Sequence, residues 1–307
     1  MNANFWPIIV PAVFLVGISG CVSAPTLDAN KIRAWSKSLE SEYPERNAVI
    51  AHYQKGGFEV FYLAAQHTVD LGSDTLNLVA ELFKRFEFNV LLIEPFPYSY
   101  GESPQWFVDD AEKGKNNKFI PGGESSLAAI LASQKNIPFF GGEPSHKDMY
   151  LGLKDRGYSD EDIFGFYVVR QIPSWIRDKE DTEGLLERKA PQFLSFYYQA
   201  FDSATRPTLP DITKWYRTKL GRELGPDVSN EEVAPLSDGN LLTQKISSDV
   251  GNIRDHFTLA LIEKMLKEHK RIAVIYGASH FVTLRKSLDS GLGTPTFIED
   301  VTRLVIH

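Results

Sequence analysis

Val90-Leu-Leu-Ile-Glu94 and Ile272-Ala-Val-Ile-Tyr-Gly-Ala-Ser-His280 decide how this chain is read, because each is an apolar run that stops at an ionisable side chain. Val60-Phe-Tyr-Leu-Ala-Ala-Gln-His67 and Pro138-Phe-Phe-Gly-Gly-Glu143 end in the same way. Runs of this length and composition predict strands buried on both faces, as in parallel sheets. In open α/β sheets, ligands bind in the crevice beyond the carboxyl ends of such strands. Two imidazoles and two carboxylates delivered to that edge make a candidate site. The plainer reading, in which a polar residue merely ends each strand, would explain one such ending better than four.

Working outward, a strand is predicted over Phe58 to Ala65 and another over Asn89 to Ile93. Between them Leu76, Val79, Leu82, Phe83 and Phe86 repeat at helical spacing, with Asp74 as N-cap, which makes a βαβ unit. Residues 95–123 read as a long loop containing Tyr98 and Tyr100 and a lysine-rich tip. A helix over 124–135 and a strand over 137–141 complete a second crossover. Residues 148–247 read as mostly helical. They carry a capping box at Ser159 to Asp162, Pro191 in a first helical turn and Asp211 as a further cap. A helix over 248–270, a strand over 271–276, a helix over 282–290 and a closing strand at 296–298 or 303–306 follow. The predicted class is α/β: a mostly parallel central sheet flanked by helices, with residues 148–247 inserted as a helical cap.

The 307 residues are 43% apolar and 24% charged, ordinary for a globular chain. The net charge is −7 without a basic cluster, which argues against nucleic acid as a partner. Residues 1–20 carry no charged side chain, and 6–16 are nearly continuous apolar sequence, too short to span a bilayer but suited to a secretory signal. The run ends in Ile18-Ser19-Gly20-Cys21, similar to the lipobox of bacterial lipoproteins, though no Lys or Arg precedes it. Cys21 is the only cysteine, so a disulfide framework is ruled out and lipidation accounts for the lone thiol. The expected organisation is a signal peptide (1–20), a lipidated tether with one helix near Lys31 to Tyr43 (21–46) and the α/β domain (47–307). Val22 after the cysteine favours the periplasmic face of the outer membrane over the inner membrane.

His67, Glu94 and His280 fit two chemistries. One is a divalent metal site (Mn, Co or Zn), with Glu143 as a further ligand, that lowers the pKa of a bound water. The other is metal-free hydrolysis with Glu or His as general base. Arg254 could hold Glu94 or an anionic substrate, or pair on the surface with Asp249 or Asp255. His146 reads either as a weaker member of this group or as a solvated loop residue. There is no Gly-x-Ser-x-Gly motif, and Gly101-Glu-Ser103 lacks the required context.

The order of these residues resembles the erythromycin-esterase, ChaN and Tiki/TraB superfamily. Gly277-Ala-Ser-His280 matches its second G-x-x-H motif, Glu94 its glutamate and Arg254 its arginine, whereas Ala64-Ala-Gln-His67 has alanine in place of the first motif's glycine. The resemblance spans roughly Asn47 to Leu288. It implies a membrane-anchored envelope protein acting on a small-molecule or peptide substrate by ester or peptide hydrolysis through His67, Glu94, His280 and Arg254. As an alternative it admits a haem-binding uptake lipoprotein, with Tyr98 and Tyr100 over the porphyrin, although paired His and Glu at strand ends are more than haem ligation needs. A non-catalytic envelope scaffold is the third reading.

Overall fold

A computed structural model describes residues 23–42, 48–177 and 183–298. The expected signal peptide, Cys21, part of the expected tether and the alternative closing strand at 303–306 lie outside the described residues. The fold is α/β, with a six-stranded mixed sheet in the order β4-β3-β5-β2-β1-β6 and helices on both faces. Its strands are β1 (Val49–Lys55), β2 (Phe58–Ala65), β3 (Val90–Pro97), β4 (Phe139–Glu143), β5 (Arg271–Gly277) and β6 (Thr296–Ile298). The pairs β3·β4, β3·β5 and β2·β5 are parallel, whereas β1 runs antiparallel to both β2 and β6. β1 has no counterpart among the predicted elements.

Alternation along each central strand builds two cores, because successive side chains leave opposite faces. Phe61, Leu63, Leu91, Ile93, Ala273 and Ile275 face α2 (Asp74–Arg85), α3 (Gln105–Gly114) and α4 (Gly123–Gln134). Val60, Tyr62, Leu92, Val274 and Tyr276 face α10 (Leu242–Glu268) and α11 (Ala278–Leu292). The expected loop over 95–123 therefore contains the extended end of β3, a 3-10 turn at Tyr98–Tyr100 and helix α3, which closes on Val108 and Ala111. A third, aromatic core lies within α5 (His146–Asp155), α6 (Asp160–Val169), α8 (Leu185–Ala200) and α9 (Leu209–Leu220), joined by the start of α10. Short helices α1 (Lys37–Glu42) and α7 (Ile172–Arg177) complete the set.

Several local expectations shift. Ser73, not Asp74, caps α2 by accepting from the Leu76 N–H, and Asp74 is the first helical residue. Pro191 lies inside α8, because that helix already begins at Leu185. Asp211 is the third residue of α9 and accepts from the N–H of Thr208, which is the cap. The capping box at Ser159 and Asp162 forms as expected. β4 lies two residues later than expected. α10 begins six residues earlier, so Arg254 sits in mid-helix instead of at its start.

The stretch expected to be a tether packs on the domain. Leu27 and Leu39 are buried, the Leu27 N–H donates to Glu263 and the Arg33 N–H to the Thr283 carbonyl. A hydrogen bond from the Ser237 N–H to the Trp35 carbonyl ties the segment to the loop before α10.

Candidate functional site

His67, Glu94, Arg254 and His280 all line one cavity of about 280 Å³ at the carboxyl edge of β2, β3 and β5. That size lies near the lower end for small-molecule pockets. Different elements deliver the four. His67 stands two residues beyond β2, and Glu94 lies within β3 because that strand continues to Pro97. Arg254 reaches across from α10. His280 is not a strand terminator: Gly277 (φ −54°, ψ 141°) turns β5 directly into α11, and His280 occupies that helix's first turn.

Each imidazole is held by a buried carboxylate at its inner nitrogen. His67 Nδ1 lies 2.6 Å from Glu124, and His280 Nδ1 lies 2.6 Å from Asp255. An ionised carboxylate can only accept, so Nδ1 carries the proton and Nε2 is left as the basic nitrogen. The two pairs differ in exposure: the His67 side chain is 63% exposed, and that of His280 is 11% exposed. The hydrogen bond to Glu124 raises the pKa of His67, against burial, with Glu94 adding to the rise. His67 Nε2 stands 3.9 Å from Glu94, too far for a hydrogen bond but near enough for its charge to be felt.

Arg254 ties the floor together. Its Nε donates to Glu143 at 2.6 Å, and its Nη2 bonds both Glu94 and Glu143. The Tyr276 hydroxyl donates to Glu143, and the Gly277 N–H donates to Glu94 at 2.8 Å. Burial alone would raise the pKa of Glu94, but Arg254, then His280 and His67, and the Gly277 N–H outweigh it and hold the carboxyl down at about 2. The same two glutamates and Tyr276 keep Arg254 charged against the cost of its burial. Neither Asp249 nor Asp255 pairs with Arg254: Asp249 meets Tyr158 and Arg156, and Asp255 serves His280.

A carboxyl with a depressed folded-state pKa contributes stability that is present above its unfolded value, near 4.3, and lost as pH falls toward its folded value. Glu94 should therefore add to an acid-induced loss of stability between about pH 4.5 and 2. Urea unfolding at a series of pH values should show a shallower slope in that window for Glu94→Gln than for the wild type. Parallel slopes would remove Glu94 from the account.

Glu124, Asp255 and Tyr276 were not among the candidates read from sequence. For Glu124 a signal existed in Gly122-Gly123-Glu124. Gly123 has φ +58°, and a Cβ there would run into the Thr68 carbonyl, so glycine lets α4 begin against the His67 loop. Tyr98 and Tyr100 do not line the cavity. Lys264 donates to the Tyr98 hydroxyl at 2.8 Å, and Tyr100 stacks on Phe96 beside Trp106. His146 opens α5, packs on Phe196 and Tyr197, and has its pKa lowered by burial. Among the described residues, no three His, Cys, Asp or Glu side chains cluster as metal ligands do. Arg254 engages Oε1 of Glu94 and both oxygens of Glu143, and Oε2 of Glu94 accepts from the Gly277 N–H. No helix among the described residues is long and apolar enough to cross a membrane. Comparison with protein-family models, curated proteins and solved structures found no match.

Proposed function

We propose that the protein is a hydrolase of ester or peptide bonds. The observation that carries this reading is the pair of carboxylate-held imidazoles, Glu124–His67 and Asp255–His280, lining one cavity around Glu94. A carboxylate at Nδ1 fixes the tautomer and stabilises the imidazolium formed when Nε2 takes a proton, which is the arrangement general base catalysis needs. One imidazole accepts the proton of the attacking water and the other returns a proton to the leaving group. Glu94, held ionised by Arg254, orients the water. The first turn of α11 opens at the cavity, and its backbone N–H groups and dipole favour the developing oxyanion. The four parallel strands β4, β3, β5 and β2 are the scaffold of this edge, and helices α5 to α9 act as its cap.

The lipobox-like sequence at Cys21 supports attachment to the bacterial envelope, with the outer membrane favoured. Cys21→Ser should then release the protein from the membrane fraction; retention equal to wild type would count against the anchor. The haem-uptake reading has less support, because neither tyrosine proposed to meet the porphyrin lines the cavity.

The deciding experiment measures release of acid from methyl esters and records the visible spectrum after haem is added. Turnover that drops at least a hundredfold in His67→Ala and in His280→Ala is the expected result. A Soret band with no turnover would replace the hydrolase by a haem binder. Neither signal would leave the scaffold.

Gly277→Ala tests the spacing of the site. Its φ of −54° suits any residue, yet a Cβ would stand 3.0 Å from His67 Nε2 and 3.3 Å from Glu94 Oε2. Turnover should fall at least tenfold while the melting temperature moves by no more than a few degrees, since small misplacements at reacting groups are costly. Unchanged turnover would show that these two groups need no such fit.

A further inference from the structure

Arg170 lines the same cavity from the opposite element, as the C-terminal residue capping α6. Its guanidinium lies over the rings of Phe166 and Tyr167, at 5.5 and 5.7 Å, and both rings are buried. No carboxylate of the described residues pairs with it, and its side chain makes no hydrogen bond among them. The other arginines that sit over aromatic rings mostly have an acidic or carbonyl partner as well: Arg222 holds Glu232 and Asp227, Arg285 meets Asp289, and Arg206 reaches the Thr205 carbonyl. The two carboxylates that face the cavity are already committed, Glu94 to Arg254 and Asp255 to His280. A half-buried guanidinium with five N–H donors, stacked in place and without an acceptor, is a receptor for a planar or tetrahedral anion. On a chain of net charge −7, such a local cation is also what draws an anion in.

We infer that the substrate of this cavity carries an anionic group, a carboxylate or a phosphate, which Arg170 receives while the scissile carbonyl meets His67 and His280. The inference rests on the hydrolase reading for the word substrate, but the anion site stands on Arg170 alone.

Monomethyl adipate and dimethyl adipate are matched probes that differ by one negative charge. The wild type should prefer the monoester at least tenfold in kcat/KM, and Arg170→Met should bring that ratio close to one. Arg170→Lys should fall between, since it keeps the charge and loses the planar fork. Equal use of the two esters by the wild type, or an unchanged ratio in Arg170→Met, overturns the inference; a cation that only offsets the α6 dipole would behave so. If neither ester turns over, the hydrolase reading fails and calorimetry still decides the anion site. Binding of adipate or inorganic phosphate that weakens at least tenfold in Arg170→Met supports it and names the anion. Failure of both to bind the wild type, or binding indifferent to the substitution, refutes it. Thermal melting confirms folding of each variant. If Arg170→Met does not fold, the comparison rests on Arg170→Lys and on salt, which must weaken binding to the wild type as screening shortens from about 10 Å at 0.1 M to about 3 Å at 1 M.

Discussion

Arg254→Met is expected to destabilise the protein by about 3–5 kcal/mol, the cost of breaking a buried ion pair from one side. The side chain is the only cation bonded to both Glu94 and Glu143 among the described residues. Both carboxylates are buried, so removing it leaves two like charges facing each other with only the Gly277 N–H and the Tyr276 hydroxyl as donors. Methionine fills much of the space, so the loss is electrostatic more than steric. Denaturant unfolding at neutral pH measures it directly. The diagnostic second step adds Glu143→Gln to Arg254→Met. Part of the stability should return, because a neutral amide no longer repels Glu94. A single substitution that costs under 1 kcal/mol, or a double one no better than the single, would mean that the cluster is far more hydrated than its burial indicates.

Asp255→Asn should lower turnover by about a hundredfold to ten-thousandfold while leaving the fold intact. Asp255 is 3% exposed and bonds His280 Nδ1 at 2.6 Å. An amide in its place can present NH2 to Nδ1, which moves the ring proton to Nε2 and leaves the cavity facing a donor in place of a base. In the proposed mechanism the His280 imidazolium also loses its stabilising charge. Nitrogen NMR of labelled histidine reads the tautomer independently of activity. A change in tautomer without loss of turnover would mean that His280 is not the proton carrier. An unchanged tautomer and rate would dismiss the pair altogether.

The central strands were legible because they are buried on both faces, and nothing but apolar residues suits such a place. β1 was not, since His52, Gln54 and Lys55 break its apolar run toward the edge of the sheet. The hairpin signal was there all the same in Gly56-Gly57, both with positive φ, between β1 and β2. α3 was hidden in a proline-rich stretch, with Pro104 as its N-cap. Within the site, His67 and Glu94 could be read because position in a strand implies position at an edge. Glu143 was readable for the same reason, though its partner was not. Asp255 and Glu124 depend on which helices cross that edge and how each is rotated, which no local pattern states. Arg254 and Asp255 are adjacent on one helix yet serve different partners, a division that only the packing of α10 against β4 and α11 makes.

The docked course of residues 27–39 has a mechanical consequence. Leu27 is fixed in the core, and only five residues separate it from Cys21. Whatever their conformation, they reach at most about 20 Å. If Cys21 carries lipid, the domain hangs on a leash shorter than its own width, and the cavity samples only molecules found close to the bilayer surface. Trp35, on the cavity wall, lies further along that same docked segment. Selection by height above the membrane would then come before selection by shape.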